Sequence, residues 1–460
     1  MSLSAFPRLT DSTRPFWRVF CSPLDDADAR GPFGRHLPFI LAGVASCARN
    51  TGVSSTMKLS TVIVGFRTLI SLLLLFAISG ALSAQEAPAP DCVAEYDPAV
   101  NYFPETMQVE YAEGFTIDYA NHYKIVTVTR PWPGAETGFT YVLVQCGTPA
   151  PDDIPDDAVV IEVPVTSAAS LSATYAPHFA ELDLLDTLIA VDNADNLYNP
   201  AIRERIEAGQ IAEIGGGSTV NVELALDLAP QVIFTYGSGF PEYDAHPVLA
   251  EAGLTPVING DFNETTPLGR AEWIKFTAAF FNKEAKAQEE YAAMKQRYQA
   301  VAEKAKAAAN KPTVISGMAN KDKWFVPGGS SYMARLILDA GGAYLYADDT
   351  SAGSLPLAFE EVYDKAVKAD VWLLNSFQRY DSIKAVLEAE PRYAEMAAVK
   401  RSNVWNNDKR VNENGGNDYW ETGVGNPDLL LADLVKILHP ELLPDHELTF
   451  WRQIPAEPAQ

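Results

Sequence analysis

Cationic side chains are scarce in this sequence. Across 460 residues, 35 Lys and Arg face 60 Asp and Glu, a formal net charge of −25 at neutral pH. A field of that sign repels nucleic acid and anionic lipid, so neither is an expected partner. Cysteine is almost missing, with only Cys21, Cys47, Cys92 and Cys146, and none is spaced as a zinc knuckle or a redox CxxC. Histidine is as rare: of six, only His439 and His446 fall late in the chain, so a bare zinc or manganese ion held by several His across a cleft is hard to assemble. No G-x-S-x-G elbow, HExxH, P-loop or GxGxxG is found, and "TYGSGF" and "PGGSSY" lack the nucleophile frame. No catalytic residue and no metal ligand is therefore named.

What is present starts with an export signal placed oddly far in. Met57 is followed by Lys58 and Arg67, an apolar run from Leu69 to Ile78, and the small residues Gly80, Ala81, Ser83 and Ala84. This is the charged start, greasy core and small-residue cut site of a secretory signal, with cleavage expected near Ala84. Residues 1–56 read as a misannotated leader ahead of the signal peptide at 57–84; the alternative is a real extended leader. No Cys follows the apolar run directly, so a soluble exported product is expected. Residues 1–84 hold eight basic and four acidic side chains, which leaves 27 against 56 and sharpens the net charge to −29. Cys92 and Cys146 then remain as one pair in an oxidising compartment, expected as a disulfide, with two buried thiols as the alternative.

From residue 85 to 165 the text is β-rich: "FTIDY", "KIVTVT", "GFTYVLVQC" and "AVVIEVP" are β-branched and aromatic runs separated by turn-rich segments. Over 166–265 the rhythm changes to short apolar strands alternating with helices, as in "TLIAVD", "QVIFTYG" and "TPVING". Between 266 and 310 no strand fits. There Tyr291, Met294, Tyr298, Val301 and Ala305 recur at helical spacing and mark one packed face. Strand and helix alternation resumes over 311–455. The fold class expected is α/β, with two Rossmann-like lobes of parallel sheet joined by a long helix, plus a small β-rich N-terminal region. Ligands of such sheets bind beyond the carboxyl ends of the strands, so the cleft between lobes is the place for a site.

The stretches "ELDLLDTLIAVDN", "IAEIGGGSTVNVELALDLAPQVIF", the long helix after "TTPLGRAEW", "KPTVISGM" and "PLAFEEVYDKAVKADVWLL" resemble the periplasmic substrate-binding proteins of ABC importers for iron complexes and cobalamin, the group with a helical hinge. The likeness runs from about Ser167 to about Leu438. It implies a periplasmic, monomeric, non-enzymatic protein that captures a small-molecule metal chelate (ferric siderophore, haem or a cobalamin-like compound) and docks on an ABC permease in the inner membrane through one acidic residue per lobe. Glu223 matches the first docking position. Glu360 is the choice for the second, with Glu361 close behind. No cofactor beyond the chelate itself is implied.

Cleft candidates are residues that follow strands or open helices. They are Tyr175, Tyr236, Trp324, Tyr332, Arg379 and Trp405, with His178, Ser238, Phe325 and Tyr380 beside them. Gly328 and Gly329 are read as letting backbone approach a ligand. In "GGNDYW", Gly415, Gly416, Tyr419 and Trp420 either border the cleft or pack the last helix. Aromatic walls with an Arg suit a large, flat or anionic chelate. Two other readings remain: an exported α/β hydrolase, and a two-lobed ligand sensor.

Overall fold

Strict alternation in "YKIVTV" buries Lys124, Val126 and Val128 on one face, and this strand anchors the first sheet. The computed structural model describes residues 92–457; the leader and signal readings at 1–84 lie outside the described residues. Strands β1 (Phe115–Tyr119), β2 (Tyr123–Val128), β3 (Phe139–Gln145) and β4 (Val159–Val163) lie side by side in that order. The first three are antiparallel and β4 joins parallel to β3. A disulfide between Cys92 and Cys146 pins the segment ahead of β1 to the residue just past β3.

The first lobe is a wholly parallel sheet of β5 (Ala168–Ser170), β6 (Leu188–Val191), β7 (Ala212–Glu213), β8 (Val232–Thr235) and β9 (Pro256–Ile258), in the order β7-β6-β5-β8-β9. Its strands β5, β6, β8 and β9 are mostly apolar and largely buried because both faces are covered, while edge strand β7 exposes Glu213. One face joins the main core; the other packs Ala169, Ala190, Ile214, Ile233 and Leu249 into a small separate cluster. Helix Val222–Leu228 starts at Asn221, whose side chain accepts the Leu224 N–H, and ends at Ala229 in the left-handed region.

Three helices, Pro267–Ala271, Trp273–Ala279 and Glu284–Lys306, carry the chain across. The last has 23 residues, a rod of roughly 35 Å. It buries Ala287, Tyr291, Met294, Tyr298 and Ala305, the face its spacing predicts, against the C-terminal helix Pro427–Leu438.

The second lobe holds β10 (Thr313–Ser316), β11 (Ala319–Asn320), β12 (Lys323–Pro327), β13 (Ala343–Tyr344), β14 (Ser354–Ala358), β15 (Val371–Leu373), β16 (Val404–Asn406) and β17 (Arg452–Gln453). Its main sheet runs β13-β10-β15-β16-β17, parallel except for the last pair, while β11, β12 and β14 form an antiparallel side sheet. That side sheet was not foreseen: "KWFVP" alternates buried and exposed like a strand, and its partner β14 carries Pro356 at an edge where no ladder donor is needed. Both lobes and the helices between them share one continuous core. Among the described residues no helix is long and apolar enough to cross a membrane.

Candidate functional site

Strand order fixes where a ligand can sit. In the first lobe the chain winds outward from β5 through β6 to β7, then returns to β8 on the other side of β5. Connections leaving β5 and β8 therefore diverge and open a crevice at their carboxyl ends. By the same rule the second lobe opens between β10 and β15. Tyr175 and Tyr236 flank the first crevice. Ser316 ends β10, and the left-handed Asn375 follows β15, held through its Oδ1 by Asn407 Nδ2 at 2.9 Å.

Orphaned polar atoms mark the same edges. Buried polar groups nearly always have partners. Among the described residues of the first lobe, the buried side-chain atoms without one are Asp192 Oδ1, Asp244 Oδ2, His246 Nδ1, Asn259 Nδ2 and Asn263 Oδ1. All five stand on segments leaving the carboxyl ends of β6, β8 and β9. On the other lobe the orphaned atoms are more scattered: Ser316 Oγ and Asn407 Oδ1 stand at strand ends and Tyr332 Oη opens a helix, whereas Trp324 Nε1, Asp428 Oδ1 and Trp451 Nε1 lie elsewhere. Burial pushes the Asp192 carboxyl up to about 6.

Between the lobes stands Arg270, from the first helix of the hinge. Its Nε donates to Asp261 Oδ2 at 2.9 Å, just past β9, and its guanidinium lies 5.4 Å from the ring centre of Tyr332 in the second lobe. The side chain is 11% exposed, and among the described residues its two terminal nitrogens make no hydrogen bond. Burial opposes the charged guanidinium most strongly, but Asp261 together with Tyr332 and Tyr175 outweighs it, so the pKa is raised. Its charge is felt by Tyr175, Tyr332 and Tyr419, whose hydroxyls burial drives upward. All stay protonated donors at neutral pH. Tyr175 already donates to the Asn259 carbonyl and Tyr419 to Met333 Sδ, so what the set offers an anionic oxygen is the Arg270 cation and the hydroxyl of Tyr332.

Other expected residues stand elsewhere. Tyr175 is 2% exposed and donates to the Asn259 carbonyl at 3.1 Å, at the base of the first crevice. Trp324 is a correction: it is wholly buried among Phe359, Trp372 and Tyr393. Trp405 is another, because its indole donates to Asn403 Oδ1 at 2.7 Å, toward the amino end of the sheet. Gly328 and Gly329 are required by the side-sheet turn itself, since a Cβ on the first would meet the Ser351 carbonyl and one on the second the Asp349 carbonyl, each at 2.2 Å. Arg379 is exposed and pairs with Asp381. His178 is buried on Thr277, and burial lowers it to about 4. Ser238 Oγ donates to Asp244 Oδ1 at 2.6 Å, and among the described residues it makes no bond to a histidine, so the nucleophile–base contact of a hydrolase is not formed there. Arg270 and Asp261 escaped notice, although Asp261 stands directly after a strand in "TPVINGD" and Arg270 is a lone charge in "TTPLGRA".

A second bond between lobes supplements the rod. Glu421 accepts the backbone N–H groups of Tyr198 at 2.5 Å and Asn199 at 3.1 Å, and Glu181 accepts from Asn426 Nδ2 at 2.8 Å. Burial raises both carboxyls to about 7. With folded pKa values above the usual 4.5, more protons are bound when folded, so this contribution is full below pH about 4.5 and is lost as pH rises through about 7. Urea unfolding is expected to show stability falling between about pH 4.5 and 7 and levelling off above that, with a shallower fall in Glu421→Gln; equal slopes would contradict it.

A recess of about 490 Å³ lies beside the hinge, near Tyr111, Thr266, Tyr298 and Arg335. Its cations are already paired, Arg335 with Asp339 and Lys306 with Glu303. Among the described residues the grouping of three potential metal donors is Cys92, Cys146 and Glu162, whose thiols form the disulfide.

Comparison with known proteins places this architecture. An uncharacterized lipoprotein of Methanocaldococcus jannaschii is 29% identical over 337 residues, 68% of this chain and 76% of that one. A periplasmic binding protein from Veillonella parvula superposes with a TM-score of 0.49 at 15% identity, covering 69% of this chain and 98% of its own. A periplasmic heme-binding protein from Roseiflexus gives 0.46 at 19% identity, over 60% and 99%. The family model described as periplasmic binding protein matches residues 169–411, from β5 of the first lobe to past β16 of the second. This chain belongs to the periplasmic binding protein family, in its helical-hinge group.

Proposed function

We propose that this protein is the exported binding component of an importer: it captures an anionic metal chelate, of the ferric siderophore, haem or cobalamin-like class, between its lobes and delivers it to an ABC permease. The observation that carries this reading is Arg270, a mostly buried cation whose two terminal nitrogens make no hydrogen bond among the described residues, set between Asp261 just past the first-lobe sheet and Tyr332 of the second lobe. Capture needs no catalytic group. A rod packed along its length permits only modest closure, so release depends on the permease drawing the lobes apart.

Exposing the purified protein to ferric siderophores, haem and cobalamin, with visible spectra and native mass as readouts, tests this. A shift with one chelate class is expected. No shift with any, or hydrolysis of a substrate lost in Ser238→Ala, would overturn the reading.

For docking, Glu223 is exposed in the first turn of its helix. Glu360 is exposed but already engaged by Arg392 at 3.0 Å, whereas its neighbour Glu361 is exposed with no ion pair among the described residues. Glu361 is thus the freer partner for a permease arginine. Glu223→Arg is expected to abolish uptake in cells while leaving chelate affinity unchanged; an unaltered uptake rate would refute the docking role.

A further inference from the structure

We propose that the β-rich entry region forms part of the ligand site, with Trp132 on the loop between β2 and β3 contacting a flat, unsaturated face of the ligand. This rests on the chelate-carrier reading. Residue 132 lies outside the span that matches the family, which begins at residue 169.

The loop is fastened to the ligand edge of the first lobe. Asn263 Nδ2, just past β9, donates to the carbonyls of Arg130 at 3.1 Å and Pro131 at 3.2 Å. Trp132 itself lies on the segment that leaves β8. A Cβ on Gly237 would come within 2.5 Å of its ring, and one on Gly239 within 2.8 Å. The two glycines of "TYGSGF" therefore make room for this indole directly beside Tyr236, at the crevice between β5 and β8. His246 stacks on the indole at 5.7 Å and Phe139 meets it edge-on at 5.8 Å.

A structural Trp is enclosed, as Trp324 and Trp451 are here even without a partner for the indole N–H. Trp132 is only partly buried, and among the described residues its Nε1 makes no hydrogen bond. Apolar surface continues from it along the same connection, where Phe240 is 43% and Tyr243 38% exposed. The orphaned Nδ1 of His246 lies beneath, on an imidazole that burial keeps neutral. An indole with an open edge, next to exposed rings and an unused acceptor, suits a π-rich plate with a polar rim. A tetrapyrrole and a catecholate ring share that chemistry.

The test compares Trp132→Leu, which keeps apolar bulk without a π face, with Trp132→Phe. Affinities are measured for haemin, a ferric tris-catecholate and a ferric trihydroxamate, the last having no aromatic ring; melting temperature serves as the folding control. Trp132→Leu is expected to weaken one of the two π-bearing probes by roughly tenfold or more, and Trp132→Phe to restore most of it. If the wild type binds a π-bearing probe and Trp132→Leu binds it equally well, the inference fails while the carrier reading stands. Preference of the wild type for the trihydroxamate over both others also overturns the inference alone. If the wild type binds none of the three, the inference falls, and the carrier reading falls with it when cobalamin is not bound either.

Discussion

Glu272→Ala is expected to destabilise the protein by about 3–5 kcal/mol, the range for stripping one partner from a buried ion pair. Glu272 and Lys275 are both fully buried, with Nζ 2.6 Å from Oε1. The carboxylate also accepts the N–H groups of Glu110, Tyr111 and Ala112. Lys275 donates further to the Gln108 carbonyl and lies 4.4 Å from the Tyr291 ring centre. Removing the carboxylate therefore orphans three backbone donors as well as an ammonium. Glu272→Gln keeps two acceptor lone pairs and should be less damaging. Urea and thermal unfolding read the effect, and a loss under about 1 kcal/mol would show that water replaces these contacts.

The consequence reaches beyond stability. Glu264 repeats the device eight residues earlier, accepting the N–H groups of Glu113 and Gly114 and the indole of Trp273. Lys124 of β2 closes it from the other side, 2.6 Å from Glu284 at the start of the rod. The entry region is thus strapped onto the hinge by buried charges at three points. Its loop over the first-lobe edge is held by the same fastening, so an entry region that loosens would take Trp132 with it.

Lobes, rod and entry sheet were legible because each follows from spacing within one segment. The stripe from Tyr291 to Ala305 needs only helical period, and "YKIVTV" only alternation. Site residues were legible only in part. Tyr175 and Tyr236 follow strands β5 and β8, and Tyr175 is buried on the Asn259 carbonyl past β9. Trp324 obeys the same local pattern, yet Phe359, Trp372 and Tyr393 enclose it, and nothing in "KDKWFVP" states that. Gly237 and Gly239 look like loop punctuation until a tryptophan from a distant hairpin is found lying on them. Arg270 depends on Asp261 in one lobe and Tyr332 in the other, a relation that exists only once the chain has crossed over.

Arg270→Met should cut chelate affinity by roughly 10- to 100-fold, the equivalent of about 1.5–3 kcal/mol for a hydrogen bond to a charged group. Methionine fills much of the space but carries no donor. The change also leaves Asp261, only 3% exposed, without its cation, so lost affinity could reflect a disturbed first lobe instead of a lost contact. Arg270→Met combined with Asp261→Asn separates the two. Stability should recover in the double variant because the orphaned charge is gone; affinity should not, because the ligand's anion still has no partner. Arg270→Lys should fall between, since an ammonium cannot offer the planar fork that serves Asp261 and a ligand oxygen together. Because the guanidinium is buried, the affinity difference between wild type and Arg270→Met should change little with added salt, unlike that of a surface pair. Wild-type affinity in the double variant would remove Arg270 from the site and leave it as a strut between the lobes.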